Sequence, residues 1–240
     1  MTIILKIKDQ EYTTEDIVSL LKKYRLFPQI AKEIIIDQSV GSIEIEPEKI
    51  NQARLNFYQA NGIKNPEQLE QWLKMQDISE ENLEYLMVRD LKIEKFKQQS
   101  WGDQLESYFL QYKERFDQVV YSLIRTKDKD LAKELYFRLS EGESDFAQLA
   151  KEYSQGNEAS TGGIIGPVEL NTPHPSIIKL LNQSQIGQIS LPTAVEEWVV
   201  IVRLEKYISA ELNENMQQRL LGELFQNWLT QQTQEVRTLA

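Results

Sequence analysis

The sequence predicts an α+β protein: a mostly helical first half, then an antiparallel sheet with packed helices, then one long closing helix. Three observations predict it. Apolar residues recur at i, i+3, i+4 and i+7 through most of the chain up to Phe116. From Asp117 the texture changes to short runs rich in Val, Ile and Tyr, set between helical patterns and a glycine-rich loop. After about residue 212 the helical period returns, with Leu220, Leu221, Leu224, Phe225 and Trp228 on one side.

Taken in order, residues 3–8 read as a short strand, and Thr13 to Asp16 as a helix start that sets acidic groups against the positive end of the dipole. Ile17, Leu20, Leu21 and Tyr24 continue that helix. Phe27-Pro28 restarts a second, carrying Ile30, Ile34 and Ile35 and stopping near Gly41. Ser42 to Glu46 alternates polar and apolar. Pro47 suits the first turn of a third helix, with Ile50, Ala53 and Phe57 as its stripe and Asn61-Gly62 as its end. Asn65-Pro66 opens a short helix with Leu69, Trp72 and Leu73, Ser79 opens a long one through Phe96, and another carries Leu105, Phe109, Tyr112 and Phe116. No catalytic spacing shows in this half.

Val119 to Ile124 has no polar face and suits a strand buried on both sides. Ala132, Leu135 and Leu139 make one helix face ending at Gly142, and Ser144 is placed to cap the next, with Phe146, Leu149, Ala150 and Tyr153. The loop Ser154 to Gly166 follows, with Gly156, Gly162, Gly163 and Gly166. A short helix carries Ile177, Ile178 and Leu181. Gly187 leads into expected strands at about 188–191 and 198–204. The Gln-rich end after about 231 is expected to fray.

Composition excludes much chemistry. The 240 residues contain no cysteine and one histidine, so thiolate catalysis, disulfides, cysteine zinc sites and any site needing two imidazoles are ruled out. No metal or other cofactor is expected. A formal charge of -10 repels nucleic acid and anionic lipid on average, and no basic patch offsets it. The longest apolar run, Trp198 to Val202, is far short of the roughly 20 residues a membrane helix needs. Ile3 to Leu5 are too few to form a secretory signal core, so a soluble, cytoplasmic protein is expected, without membrane insertion.

Several pieces in one order carry a resemblance: Ser122-Leu-Ile-Arg125, Ala132-Lys-Glu-Leu135, Gly142-x-x-x-Phe146-x-x-Leu149-Ala150, Gly162-Gly163-x-x-Gly166, Gly187-x-x-Ser190-x-Pro192 and Val200-Ile-Val-Arg-Leu204. Over about 117–208 the chain resembles a parvulin-type peptidyl-prolyl isomerase. Its helical flanks are similar in layout to SurA/PrsA-like foldases. The resemblance implies a helical chaperone-like domain at 1–116, an isomerase domain at 117–208, and a helix at 209–240 that returns to pack on the first domain. It also implies clients: unfolded or precursor polypeptide segments containing proline.

An X–Pro amide crosses a barrier of about 18–20 kcal/mol, so an isomerase must favour the twisted amide over both planar forms. The family does this with two histidines and a Cys or Asp around the rotating carbonyl, beside an apolar slot for the proline ring. By resemblance the first histidine falls at Ser122, the Cys or Asp at Gly156 or Asn157, and the second histidine at Val200. None of the three polar groups is kept. The slot fares better: Ile165 corresponds to a loop leucine, Ile177 to a wall residue of the short helix, and Pro173 or His174 to the remaining wall. Ser122, Ile165, Pro173, His174, Ile177 and Trp198 are therefore the expected peptide-binding set. Removing positioned polar groups costs on the order of 10²–10⁴ in rate where protons move, and less where none does. Weak or absent isomerase activity with retained peptide binding is expected.

Plainer readings stand beside these. His174, between Pro173 and Pro175, also reads as an exposed helix-start residue, and Trp72, Trp101, Trp198 and Trp228 read as packing, with Trp198 the exception because it lies next to the second histidine position. The Gly162-Gly163-x-x-Gly166 spacing does not match a phosphate loop, and no lysine follows it. The cluster Arg125, Lys127, Asp128, Lys129, Asp130 mixes signs. Two functions remain: a parvulin-type foldase, or a non-catalytic chaperone or adaptor for a client in processing or export.

Overall fold

A computed structural model describes residues 2–234. The chain divides into two compact units: residues up to Leu105 with the chain from Glu214 onward, and Glu106–Asn213.

The first unit opens with a hairpin of β1 (Ile3–Ile7) and β2 (Gln10–Thr13), followed by α1 (Thr14–Lys23), α2 (Phe27–Val40), α3 (Pro47–Ala60), α4 (Pro66–Gln76) and α5 (Glu80–Trp101). It is completed by α10 (Glu214–Thr233). Local chemistry sets the helix starts. Thr13 and Asp16 form a reciprocal capping box at α1, and Asn65 and Ser79 cap α4 and α5 by accepting from Gln68 N–H and Asn82 N–H. The core of this unit joins Ile36 and Val40 of α2 to Phe225 and Leu229 of α10, with Phe96 and Trp101 of α5 and Trp228 packed beside them. Ring centroids lie 5.1 Å apart for Phe96 and Trp228 and 5.6 Å for Phe96 and Trp101. Arg89 of α5 bridges to Asp37 at 2.5 Å and Glu33 at 2.6 Å on α2. The strand partner β2 has no counterpart in the sequence reading, because four residues are too few to show a period. Ser42–Glu46, despite its alternation, forms no strand. The expected fraying beyond Gln234 falls outside the described residues.

The second unit contains α6 (Leu105–Phe116), β3 (Gln118–Thr126), α7 (Lys129–Ser140), α8 (Phe146–Tyr153), β4 (Ile164–Glu169), α9 (Pro175–Gln183), β5 (Thr193–Val195) and β6 (Trp198–Ile208). Its sheet has the order β4-β3-β6-β5, antiparallel throughout. Strand alternation separates two cores. On one face Ile124 and Ile201 pack with Leu135, Leu139, Phe146, Leu149 and Ala150 of α7 and α8. On the other, Val119, Tyr121, Leu123, Val200, Val202 and Leu204 pack with Ile177 and Leu181 of α9. Asp145, not Ser144, caps α8, accepting from the N–H groups of Ala147 and Gln148. The strand expected at 188–191 shrinks to one bridge, Ile189 to Arg203, because the Ser190 hydroxyl takes the Val202 N–H. Asp117 ties this unit together: it accepts from Tyr207 Oη, from the Ala210 N–H at 2.7 Å and from Lys113 Nζ at 2.9 Å. Burial pushes its carboxyl up, but these three donors outweigh burial and hold it below the ordinary value. The Tyr207 phenol is pushed up to about 12 by burial and by the same carboxylate.

Candidate functional site

The α9 face of the sheet gathers most of the expected slot. Ile177 is buried in its core with Val200, and Ile165, on β4, packs against the same cluster. Trp198, at the start of β6, closes the cluster beside the two-residue turn Glu196–Glu197. Ile165 pairs directly with Tyr121 of β3, and Val200 pairs with Arg125. Pro173 is half-buried and leads into α9. His174 is the N-cap of α9: its Nδ1 accepts from Ser176 N–H at 3.2 Å, and its Nε2 lies 3.6 Å from Glu196 Oε1. Exposed and capping α9, His174 has the place of the plainer reading, a helix-start residue.

Ser122 is the exception. Its neighbours Tyr121 and Leu123 face α9, so Ser122 faces α7 and α8 with Ile124, where its hydroxyl donates to Glu205. It is 1% exposed and pairs with Arg203, three positions along β6 from Val200. Ser122 therefore shares no pocket with Val200, Ile165 or Ile177. The physical reason is the period of two: an offset of one residue moves a side chain to the other face. The adjacent β3 residue on the α9 side is Tyr121, whose hydroxyl is pushed up by burial and by the nearby Glu158 carboxylate.

Gly156 lies beside the slot as the N-cap of a short 3-10 helix, Asn157–Thr161, and Asn157 itself is exposed. No side chain projects from Gly156, and the space is not empty. A Cβ built there would fall 2.0 Å from Nε and Nη2 of Arg125 and 2.3 Å from its Cζ, so the guanidinium turns its Nε–Nη2 edge toward Gly156. Arg125 also sits 5.3 Å from the Trp198 ring centroid. Its Nε is 3.1 Å from Oε1 of Glu158, a 7% exposed carboxylate that also accepts from Ser154 Oγ at 2.6 Å. That Nε is buried without an aligned hydrogen bond, so the contact with Glu158 is an ion pair rather than an in-line bond. Lys127 stands over the same indole at 4.8 Å and pairs with Glu197 at 2.7 Å. Gly163, with φ +86, brings the loop close to β3: its carbonyl accepts from Leu123 N–H at 2.9 Å.

Sequence reasoning missed Tyr121, Arg125 and Glu158. Val119, Tyr121, Leu123 and Arg125 share one face of β3, but with both faces buried the strand's composition does not say which face that is. Glu158 carried no local signal, because only the loop's return to β3 brings it to Arg125. Among the described residues no helix is long and apolar enough to cross a membrane, and no group of three or more potential metal ligands occurs.

The second unit is thus a four-stranded antiparallel sheet ordered β4-β3-β6-β5, with helices packed on both faces and a glycine-rich loop leading into β4. Residues 122–206 match the family of PPIC-type PPIase domains, the rotamases, and this chain carries such a domain within a PrsA/SurA-like α+β architecture. The chain is 23% identical over 199 residues to the foldase protein PrsA of Caldanaerobacter subterraneus, a match over 82% of this chain and 61% of that protein's length. It is 32% identical over 103 residues to the chaperone SurA of Methylobacillus flagellatus, covering 39% of this chain and 23% of that one. Its fold is similar to the crystal structure of the peptidylprolyl isomerase PrsA of Bacillus cereus, at a TM-score of 0.52 and 17% identity, over 100% of this chain and 94% of that one.

Proposed function

We propose that this protein is a parvulin-type foldase that binds Pro-containing segments of incompletely folded or precursor polypeptides and isomerises X–Pro bonds weakly. The observation that carries the proposal is the asymmetry of the α9 face. Ile165 and Trp198 lie partly exposed at the edge of the apolar core that holds Ile177 and Tyr121, while Gly156 and Val200 present no polar side chain where the resemblance places the family's. Fully burying one exposed aliphatic side chain stabilises by about 1.5–3 kcal/mol, so the partly exposed Ile165 and Trp198 are the groups whose further burial by a proline ring supports binding.

A paired measurement tests it: proton exchange spectroscopy on a short Ala-Pro peptide, and suppression of aggregation of an unfolding client. Holding with slow but measurable exchange supports the proposal. Holding without any exchange supports the second reading, a non-catalytic chaperone or adaptor, which Gly156 and Val200 favour. Neither activity refutes both. The cytoplasmic placement carries over only as part of the proposal, and recovery of the chain from an envelope or secreted fraction overturns it.

A further inference from the structure

We propose that Arg125 is the catalytic residue of this domain, donating a hydrogen bond to the prolyl nitrogen as the X–Pro amide twists; this rests on reading the α9 face as the peptide site. Three features of the structure converge on Arg125. Its guanidinium fills the space a Cβ of Gly156 would take and lies on Trp198, and its backbone pairs across the sheet with Val200, so residue 125 neighbours two positions where the family keeps polar side chains. Glu158 and the indole fix the plane of the fork, and Nε to Glu158 is the one described ion pair of that guanidinium. Nε is buried against Glu158 while the side chain as a whole is 33% exposed, so its exposure lies at atoms other than Nε.

The chemistry selects the prolyl nitrogen over the carbonyl oxygen. In the planar amide the nitrogen lone pair is delocalised into the carbonyl and accepts no hydrogen bond. Rotation breaks that conjugation, localises the lone pair on nitrogen and removes negative charge from oxygen. A donor aimed at oxygen holds the planar forms and slows the reaction. A donor aimed at nitrogen makes its bond only in the twisted state, which is the condition for raising kcat instead of merely tightening binding. No bond other than the hydrogen bond forms, and no proton is transferred. A guanidinium serves because its donors are held in a rigid plane and its charge needs no partner base.

The full chain is titrated with an Ala-Pro peptide, binding being read from the amide shifts of Ile165 and Ile177 and turnover from exchange spectroscopy. R125M is expected to bind within about threefold of the parent and to lose about ten- to a hundredfold in rate at saturating peptide, the effect of one charged donor. R125K, a point charge without the fork, is expected to recover only part. R125M leaves Glu158 buried without its cation, so R125M/E158Q removes the pair together and should show the same loss. G156A keeps both charges but pushes the guanidinium aside and should also slow turnover. An unchanged rate in R125M/E158Q or in G156A, or a loss residing wholly in KM, overturns the proposal. A parent protein that binds peptide without exchange also overturns it and leaves the peptide-site reading standing. A parent protein whose Ile165 and Ile177 amides do not respond to peptide overturns the peptide-site reading and this proposal with it.

Discussion

Replacing Asp117 by Asn removes a charge while nearly preserving shape, at the point where α6 hands over to β3 and the end of β6 leaves the sheet. The parent carboxylate accepts from Tyr207 Oη, Ala210 N–H and Lys113 Nζ, and its side chain is 5% exposed. An Asn oxygen can keep part of this set, but its NH₂ group turns a donor toward donors. Hydrogen bonds to a charged acceptor are worth about 1.5–3 kcal/mol each, and Lys113 is partly solvated, so D117N should cost about 2–3 kcal/mol at neutral pH. The pH dependence follows from the carboxyl being held below its ordinary value in the folded chain. Its stabilisation is complete above the unfolded aspartate value of about 3.9 and is lost as pH falls through the folded value. The gap between parent and D117N should therefore be constant above about pH 5 and close at lower pH. Because the chain has two units, a single global midpoint is poorly defined. The assay is a urea titration read on backbone amide signals of β3 and β6. Equal midpoints at pH 7, or a gap that persists undiminished in acid, would refute the reasoning.

Other substitutions test the packing and the placement of the site. G163A places a Cβ 2.9 Å from the Leu123 carbonyl at φ +86 and should destabilise the second unit by about 2–3 kcal/mol, seen as a lower urea midpoint for its β3 signals. W228A opens the aromatic cluster of Phe96, Trp101 and Phe225 and should cost about 3 kcal/mol, read on α2 and α10 amides. S122A should leave peptide affinity unchanged and cost about 1 kcal/mol in stability. I165A should weaken peptide binding roughly tenfold by shortening the slot wall. Reversal of the last two outcomes would return Ser122 to the binding face.

The helices of the first unit are legible in the sequence because caps and apolar stripes are local. Thr13 with Asp16, Asn65 with Pro66 and Ser79 mark their starts without any knowledge of the rest of the chain. The slot was half legible. Ile165 and Ile177, placed by the family resemblance, share the α9-face core, whereas Ser122, placed with them by the same resemblance, faces α7 and α8; β3 is apolar on both faces and its composition does not say which side is which. Hairpin and register gave no signal of that phase. Only the pairing of Tyr121 with Ile165 does so, and that pairing spans more than forty positions of sequence. The Arg125–Glu158 pair was illegible for the same reason. Its members belong to β3 and to the loop after α8, and in sequence Arg125 reads as part of a mixed-sign surface cluster.

The absence of a side chain at residue 156 and the presence of a guanidinium beside it are one packing fact. With a Cβ at that position 2.0 Å from two nitrogens of Arg125, any residue but glycine must shift the guanidinium, and a shift away from Glu158 weakens the pairing of that buried carboxylate. An unpaired buried carboxylate is costly, so Gly156, Arg125 and Glu158 are coupled: changing one penalises keeping the other two. Counting polar residues position by position therefore understates this pocket. The family's groups are gone from Gly156 and Val200, but their space is held by a cation with a fixed plane. The physical expectation is thus a saturable rate that falls with the guanidinium and not with the apolar wall, and a wall whose loss raises KM and leaves kcat in place.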